Sequence, residues 1–192
     1  MTSLRHKPET GPEPRDAYLD AARACILDVG WRRTTLTEVA RRAGVSRMTI
    51  YRTWSDMPQL LGDLMTREWT AIVAGTTGSE ELVERMVATI RALRDNELFV
   101  RIVELDPELV LPYLLARRGR SQDLILALAE EEITARQATG GVRAGNPTAI
   151  ARALVLAAHG FVLSAHTMVD ERATLAELDD ELRLALTRIL QP

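Results

Sequence analysis

The chain has 192 residues, of which 46% are hydrophobic, enough for a substantial core in one large domain or a small domain fused to a medium one. Its single cysteine, Cys25, excludes an internal disulfide framework and any multi-cysteine zinc site. The net charge of −3 at first argues against a nucleic-acid partner, but the charge is unevenly spread. Over 31–54 the basic groups are Arg32, Arg33, Arg41, Arg42, Arg47 and Arg52, opposed by Glu38 alone. A local basic patch on an acidic chain can hold a phosphate backbone, although charge alone leaves an ordinary solvated face equally open. No apolar run follows the opening Met-Thr-Ser-Leu-Arg-His-Lys, so no secretory signal is expected. The longest apolar stretch, 153–165, contains His159 and Gly160 and is too short to span a bilayer. A cytoplasmic protein with no membrane partner is therefore expected.

Residues 1–14 combine Pro8, Pro12, Pro14 and Gly11 with polar residues and read as a flexible tail. From Arg15 the pattern is helical throughout. Tyr18, Ala21, Ala22, Cys25, Ile26 and Val29 form one stripe, and Gly30 suits a left-handed helix end. Thr35 and Glu38 have the spacing of a capping box for a second helix, buried through Leu36, Val39, Ala40 and Ala43. Gly44 stops it, and Ser46 caps a third helix. Asp56 caps a fourth, with a stripe of Leu60, Leu61, Leu64, Met65, Trp69, Ile72 and Val73 closed by the glycines at 75–78. Ser79 is placed at the start of a fifth helix, buried through Leu82, Val83, Met86, Val87, Ile90 and Leu93.

Asp106-Pro107 opens a helix in which Pro112 predicts a kink or restart. Ser121 is expected to cap the next helix, which ends near Gly140-Gly141, with Glu130-Glu131-Glu132 on a solvated face. Asn146-Pro147 starts a long helix to about Val169, and Thr174 with Glu177 forms a second capping box before the last helix. No strand pattern and no internal repeat is evident. The expected fold class is all-α.

Two helices crossing at roughly 90–120° through a 3–4-residue turn need a small residue at the crossing and a flexible one in the turn. Ala40 and Gly44 meet those needs, with Val39, Val45 and Ile50 filling the wedge. On the helix at 46–54, Ile50 and Trp54 face inward, which leaves Arg47, Met48, Thr49, Tyr51 and Arg52 for DNA. The second helix of such a unit enters the major groove with its N-terminal residues toward the bases. Arg47 can donate two hydrogen bonds to guanine, while Met48 or Thr49 can meet a thymine methyl. Tyr51 and Arg52 suit phosphates, and Thr35 offers a hydroxyl and nearby free amides to another. With the cap Ser46, these make the candidate DNA-binding set.

The stretch 21–61, including TTLTEVARRAGVSRMTIYRTWSDMPQLL, resembles the N-terminal domain of the tetracycline-repressor (TetR) family. The matching features are Trp31, Thr35, Ala40, Gly44-Val45-Ser46, Tyr51, Trp54 and Asp56. The resemblance implies a helix-turn-helix DNA-binding domain at 15–60, with its motif at about 35–54, and a helical effector-binding and dimerisation domain at 61–192. It implies a homodimer on a palindromic double-stranded operator, most simply a repressor released by a small-molecule effector. The family's phosphate contacts carry over to Thr35, Tyr51 and Arg52. Two residues depart from the pattern: Met57 stands where a lysine is frequent, and Trp54 replaces the more usual phenylalanine.

In the last two helices, Leu154, Phe161, Leu175, Leu178, Leu182, Ala185 and Ile189 are the candidate dimer surface, a four-helix bundle across a two-fold axis. Burial of these faces within the monomer is the alternative. Met65, Trp69, Phe99, Ile102, Tyr113, His159 and Phe161 are candidate walls of an effector pocket, and their apolar bias suggests a hydrophobic effector. His159 and His166 lie two helical turns apart, about 10.5 Å, too far to share one metal ion, so no metal or other cofactor is expected. A small enzyme or a helical protein-interaction module remains open as an alternative. Against the enzyme stand the absence of a phosphate loop, a Gly-x-Ser-x-Gly elbow and a His-Glu-x-x-His helix, and Cys25 lies on a buried stripe rather than in a nucleophile's setting.

Overall fold

A computed structural model of the chain describes residues 14–76 and 81–192. Among the described residues there is no strand, only an isolated bridge between Asp170 and Ala173. The chain divides into two compact units, Met1–Leu64 and Met65–Pro192, a boundary a few residues beyond the expected 60/61. The tail assigned to 1–14 lies outside the described residues except for Pro14, as does the Ser79 cap.

The first unit contains α1 (Pro14–Val29), α2 (Leu36–Arg42), α3 (Arg47–Thr53) and the start of α4 (Met57–Gly75). Its helix ends follow local chemistry. Gly30, at φ 81°, takes the left-handed conformation, and its N–H donates to the Ile26 carbonyl at 2.9 Å. Asp56 accepts from the Gln59 amide at 2.8 Å while the Gln59 side chain accepts from the Ser55 N–H, so α4 is capped from both sides. The core combines Leu19, Ala22, Cys25 and Ile26 with Leu36, Val39, Ala40, Ile50, Trp54, Leu60 and Leu64. Two expectations fail in α1. Leu19 is buried although the stripe omitted it, and Val29 is 38% exposed because Gly30 ends the helix beside it.

The second unit continues with the rest of α4, then α5 (Leu82–Arg94), α6 (Glu97–Leu105), α7 (Leu111–Leu115), α8 (Arg120–Ala138), α9 (Pro147–Ser164) and α10 (Leu175–Leu190). Short 3₁₀ turns occupy Pro107–Leu109 and Ala165–Met168, so the long helix expected to reach Val169 ends earlier. Pro112 marks the restart as α7, as its missing N–H and fixed φ require. Helix α6 was not foreseen. Asn96 caps it by accepting from the Phe99 amide at 2.9 Å, which breaks the chain just after α5. Helix α8 begins after Gly119 rather than Ser121, because the Gln122 side chain reaches back to the Gly119 N–H at 2.9 Å. At α10 the Thr174–Glu177 capping box forms in both directions, and the Thr174 N–H and hydroxyl hold the Glu177 carboxyl below its usual range.

The core of this unit joins Val87 and Ile90 of α5, Ile133 of α8, Ile150, Ala151 and Leu154 of α9, and Leu182, Leu186 and Leu190 of α10. Truncating one such leucine to alanine costs about 2–5 kcal/mol. A buried ion pair crosses this core, with Arg94 donating to both oxygens of Asp179 at 2.8 and 2.9 Å and Arg91 adding a third bond at 2.7 Å. The Arg94 guanidinium, with Arg91, lowers the Asp179 pKa below the ordinary carboxylate value despite burial. The glutamate run at 130–132 is not simply solvated: Glu132 bridges Arg85 and Arg136, and Glu130 accepts from Thr148. Pro147–Met168 is long and apolar enough to cross a membrane by composition, and its Ile150, Ala151 and Leu154 side chains are buried in the core.

Candidate nucleic-acid interface

The turn between α2 and α3 is a Schellman motif built on Gly44 at φ 69°. Its two hydrogen bonds run from the Val45 N–H to the Ala40 carbonyl at 3.0 Å and from the Gly44 N–H to the Arg41 carbonyl at 3.2 Å. Ala40 is 1% exposed, which leaves room for the two helices to cross closely. Ser46 then caps α3, accepting from the Thr49 amide at 3.2 Å. The helix is only seven residues long, too short to persist alone, so its orientation depends on its buried face. That face is Ile50, with Trp54 at the C-cap, and both are fully buried.

The opposite face of α3 points to solvent. Met48 is 70% exposed and Tyr51 51%, with Arg47 and Arg52 also exposed. Among the described residues neither guanidinium has an ion-pair or hydrogen-bond partner. An uncompensated cation and a bare thioether on a rigid helix are poorly explained by folding. They are available to a ligand.

Thr49 is half-buried, and its hydroxyl lies 2.9 Å from that of Ser46. Of the residues expected to meet bases, Arg47 and Met48 are thus free, whereas Thr49 spends its hydroxyl on the cap and presents chiefly its methyl. Thr35 is exposed and caps α2 by accepting from the Glu38 amide at 3.2 Å. The reciprocal half of the expected capping box is missing. The Glu38 carboxylate instead accepts two bonds from Arg41, at 2.9 and 2.6 Å, and that guanidinium lowers its pKa. Arg42 pairs with Asp28 of α1. Arg41 and Arg42 of the basic patch are therefore paired; the charge count over 31–54 already set Glu38 against it, but not Asp28 of α1. Burial pushes the Cys25 thiol pKa up, in keeping with a core residue.

A further contact escaped sequence reasoning. The Trp54 indole N–H donates to Asp63 Oδ2 at 2.6 Å, and the same carboxylate pairs with Arg15. An acid nine residues after a buried tryptophan was the available signal.

The candidate pocket and dimer residues all belong to the second unit. Trp69 and Phe99 pack edge-on with ring centroids 5.2 Å apart, beside a buried Ile102 in the same helix as Phe99. Met65 is half-buried and Tyr113 is 39% exposed. His159 is half-buried, and burial lowers its pKa; its Nε2 lies 3.4 Å from the Gln122 amide nitrogen. Phe161 packs against the core. Leu154 and Leu182, assigned to the dimer surface, are 2% and 1% exposed, so the core of the single chain already uses them. Leu175, Leu178 and Ile189 are half-buried and Ala185 is exposed. Leu156 and Leu184, which periodicity did not single out, are the outward leucines of α9 and α10.

A helix with a buried apolar back, a free cationic front and a glycine turn behind it defines a helix-turn-helix nucleic-acid-binding protein. Residues 19–64 match the family of bacterial regulatory proteins, tetR family. An uncharacterized HTH-type transcriptional regulator of Mycobacterium bovis is 34% identical over 176 residues, covering 90% of this chain and 92% of the relative. Among solved structures, a TetR-family transcriptional regulator from Rhodococcus sp. superposes with a TM-score of 0.67 at 19% identity, covering 94% of this chain and all of that one. The transcriptional repressor QsdR of R. erythropolis superposes with a TM-score of 0.64 at 15% identity, covering 92% and 94%. The chain belongs to the TetR family of transcriptional regulators. It is a DNA-binding regulator and not an enzyme, in a family typified by ligand-responsive repression.

Proposed function

We propose that the chain represses transcription as a homodimer, each copy laying α3 in the major groove of one half of a palindromic operator. The observation that carries this is the solvent face of α3, where Arg47, Met48, Tyr51 and Arg52 stand exposed on a helix anchored by Ile50 and Trp54. Arg47 and Met48 read base edges, with the Thr49 methyl beside them, while Tyr51, Arg52 and Thr35 hold phosphates. Ser46 orients α3 from its cap. The outward Leu156 and Leu184, with Ala185 and the accessible parts of Leu175, Leu178 and Ile189, supply apolar surface for a second copy. The protein would act in the cytoplasm, where its operator is.

The effector is a small molecule, mainly hydrophobic, with one hydrogen-bonding group. The half-buried Trp69, packed edge-on against Phe99, offers an apolar contact, and the uncharged His159 beside Gln122 offers a polar one. Its binding releases DNA. Selection of the full-length protein on random double-stranded DNA, followed by sedimentation, tests the reading. A palindromic consensus bound by a dimer is expected; a monomer without sequence preference overturns it.

A further inference from the structure

Helix α3 has a side-chain cap at its N-terminus and a main-chain bond from the Trp54 N–H to the Ile50 carbonyl at its C-terminus, where the Trp54 side chain also meets one carboxylate. Trp54 is the C-cap residue and is fully buried. A buried indole N–H needs an acceptor, and Asp63 Oδ2 supplies one at 2.6 Å. The Asp63 side chain is itself only 11% exposed, and it pairs with Arg15 in the first turn of α1. The Arg15 guanidinium also lies 5.7 Å from the centroid of the Trp54 ring, and Tyr18 packs edge-on against that ring at 6.4 Å. Three helices of the first unit, α1, α3 and α4, thus meet at a single acid. None of these four side chains lies on the DNA-reading face of α3.

We propose that Asp63 is a positioning residue for operator recognition: through the Trp54 indole and Arg15 it sets the orientation of α3 in which Arg47 and Met48 reach the bases. The inference rests on α3 as the DNA-reading helix. Removing a negative charge from a polyanion-binding unit should, by electrostatics alone, tighten DNA binding. A positioning role demands the opposite for specific DNA. Because the contact needs both partners, Trp54→Phe, which keeps the aromatic bulk and removes the N–H, should mimic the loss of Asp63.

The test uses the full chain, its own selected duplex and a random-sequence duplex at fixed salt, with each variant held well below its melting temperature. Asp63→Leu, which removes both the charge and the acceptor, and Trp54→Phe are expected each to weaken binding to the selected duplex about tenfold, the equivalent of one lost hydrogen bond to a charged group. The double variant should be no worse than either single one, and the random duplex should bind Asp63→Leu as well or better. Selected-duplex affinity that is unchanged or tighter in folded Asp63→Leu overturns the proposal, as do additive losses. Should Asp63→Leu fail to fold, Trp54→Phe and the exchange of the wild-type Trp54 indole proton carry the test; fast exchange of that proton overturns it. Absence of a sequence-selective duplex for the wild type would instead refute α3 as the reading helix, so the two failures are distinct.

Discussion

Ser46 and Thr49 face each other across the first turn of α3, their hydroxyl oxygens 2.9 Å apart and the Thr49 amide donating to Ser46 Oγ at 3.2 Å. One hydroxyl thus closes the cap while the other is drawn away from solvent. Ser46→Ala should cost about 1 kcal/mol of stability, the usual worth of such a cap, measured by urea denaturation. Thr49→Val keeps the methyl and should leave operator affinity nearly unchanged. A large loss in the valine variant would show that the hydroxyl, not the methyl, meets DNA.

Arg47 and Tyr51 should separate base reading from backbone anchoring. Arg47→Ala should cost about 1–3 kcal/mol of operator binding and relax preference at one base pair. Tyr51→Phe removes only the phenolic hydroxyl and should weaken all duplexes alike. Titrations against a panel of single-base operator variants at one salt concentration distinguish the two patterns.

Met57, the first residue of α4, stands where the family resemblance would place a lysine. Met57→Lys should add a phosphate contact and steepen the dependence of log affinity on log salt by about 0.9, while Arg52→Ala should flatten it by a similar amount. Slopes measured over a salt series decide this independently of absolute affinity.

Asp179 should matter to stability alone. Removing it leaves the buried Arg94 without its counter-charge, at a cost of about 3–5 kcal/mol. The Asp179→Ala variant should therefore melt well below wild type. Because the folded state lowers the Asp179 pKa, its contribution is full above the unfolded value of about 3.9 and declines as pH falls through the folded one. An acid titration of the wild type, compared with Asp179→Asn, isolates that component.

His159 titrates in a higher window. Burial lowers its folded pKa, so the unfolded chain binds the proton more readily. Its contribution is complete above about pH 6.5 and is lost progressively below it. His159→Gln should flatten the decline in melting temperature between pH 7 and 5, and an unaltered pH profile would remove His159 from the account.

Much of this protein is local chemistry and therefore legible in the chain. Thr35, Ser46, Asp56, Asn146 and Thr174 begin helices because each side chain accepts from an amide three residues on. Gly30 and Gly44 end helices because glycine takes positive φ at no steric cost. The same proximity places Arg47, Met48, Tyr51 and Arg52 outward once Ile50 and Trp54 are known to face in. Tertiary structure decided what separated residues do to one another. Arg42 of α2 found Asp28 of α1, whereas Glu38 gave up its half of a cap to Arg41 within one turn of its own helix. Leu154 and Leu182 went to the core while Leu156 and Leu184 faced out, a choice that hydrophobicity cannot make among equal leucines. Arg94 met Asp179 across 85 residues, and Trp54 met Asp63 across a turn. Those pairings cost desolvation and ordering entropy that only a completed core offsets, so local sequence pattern by itself does not select them.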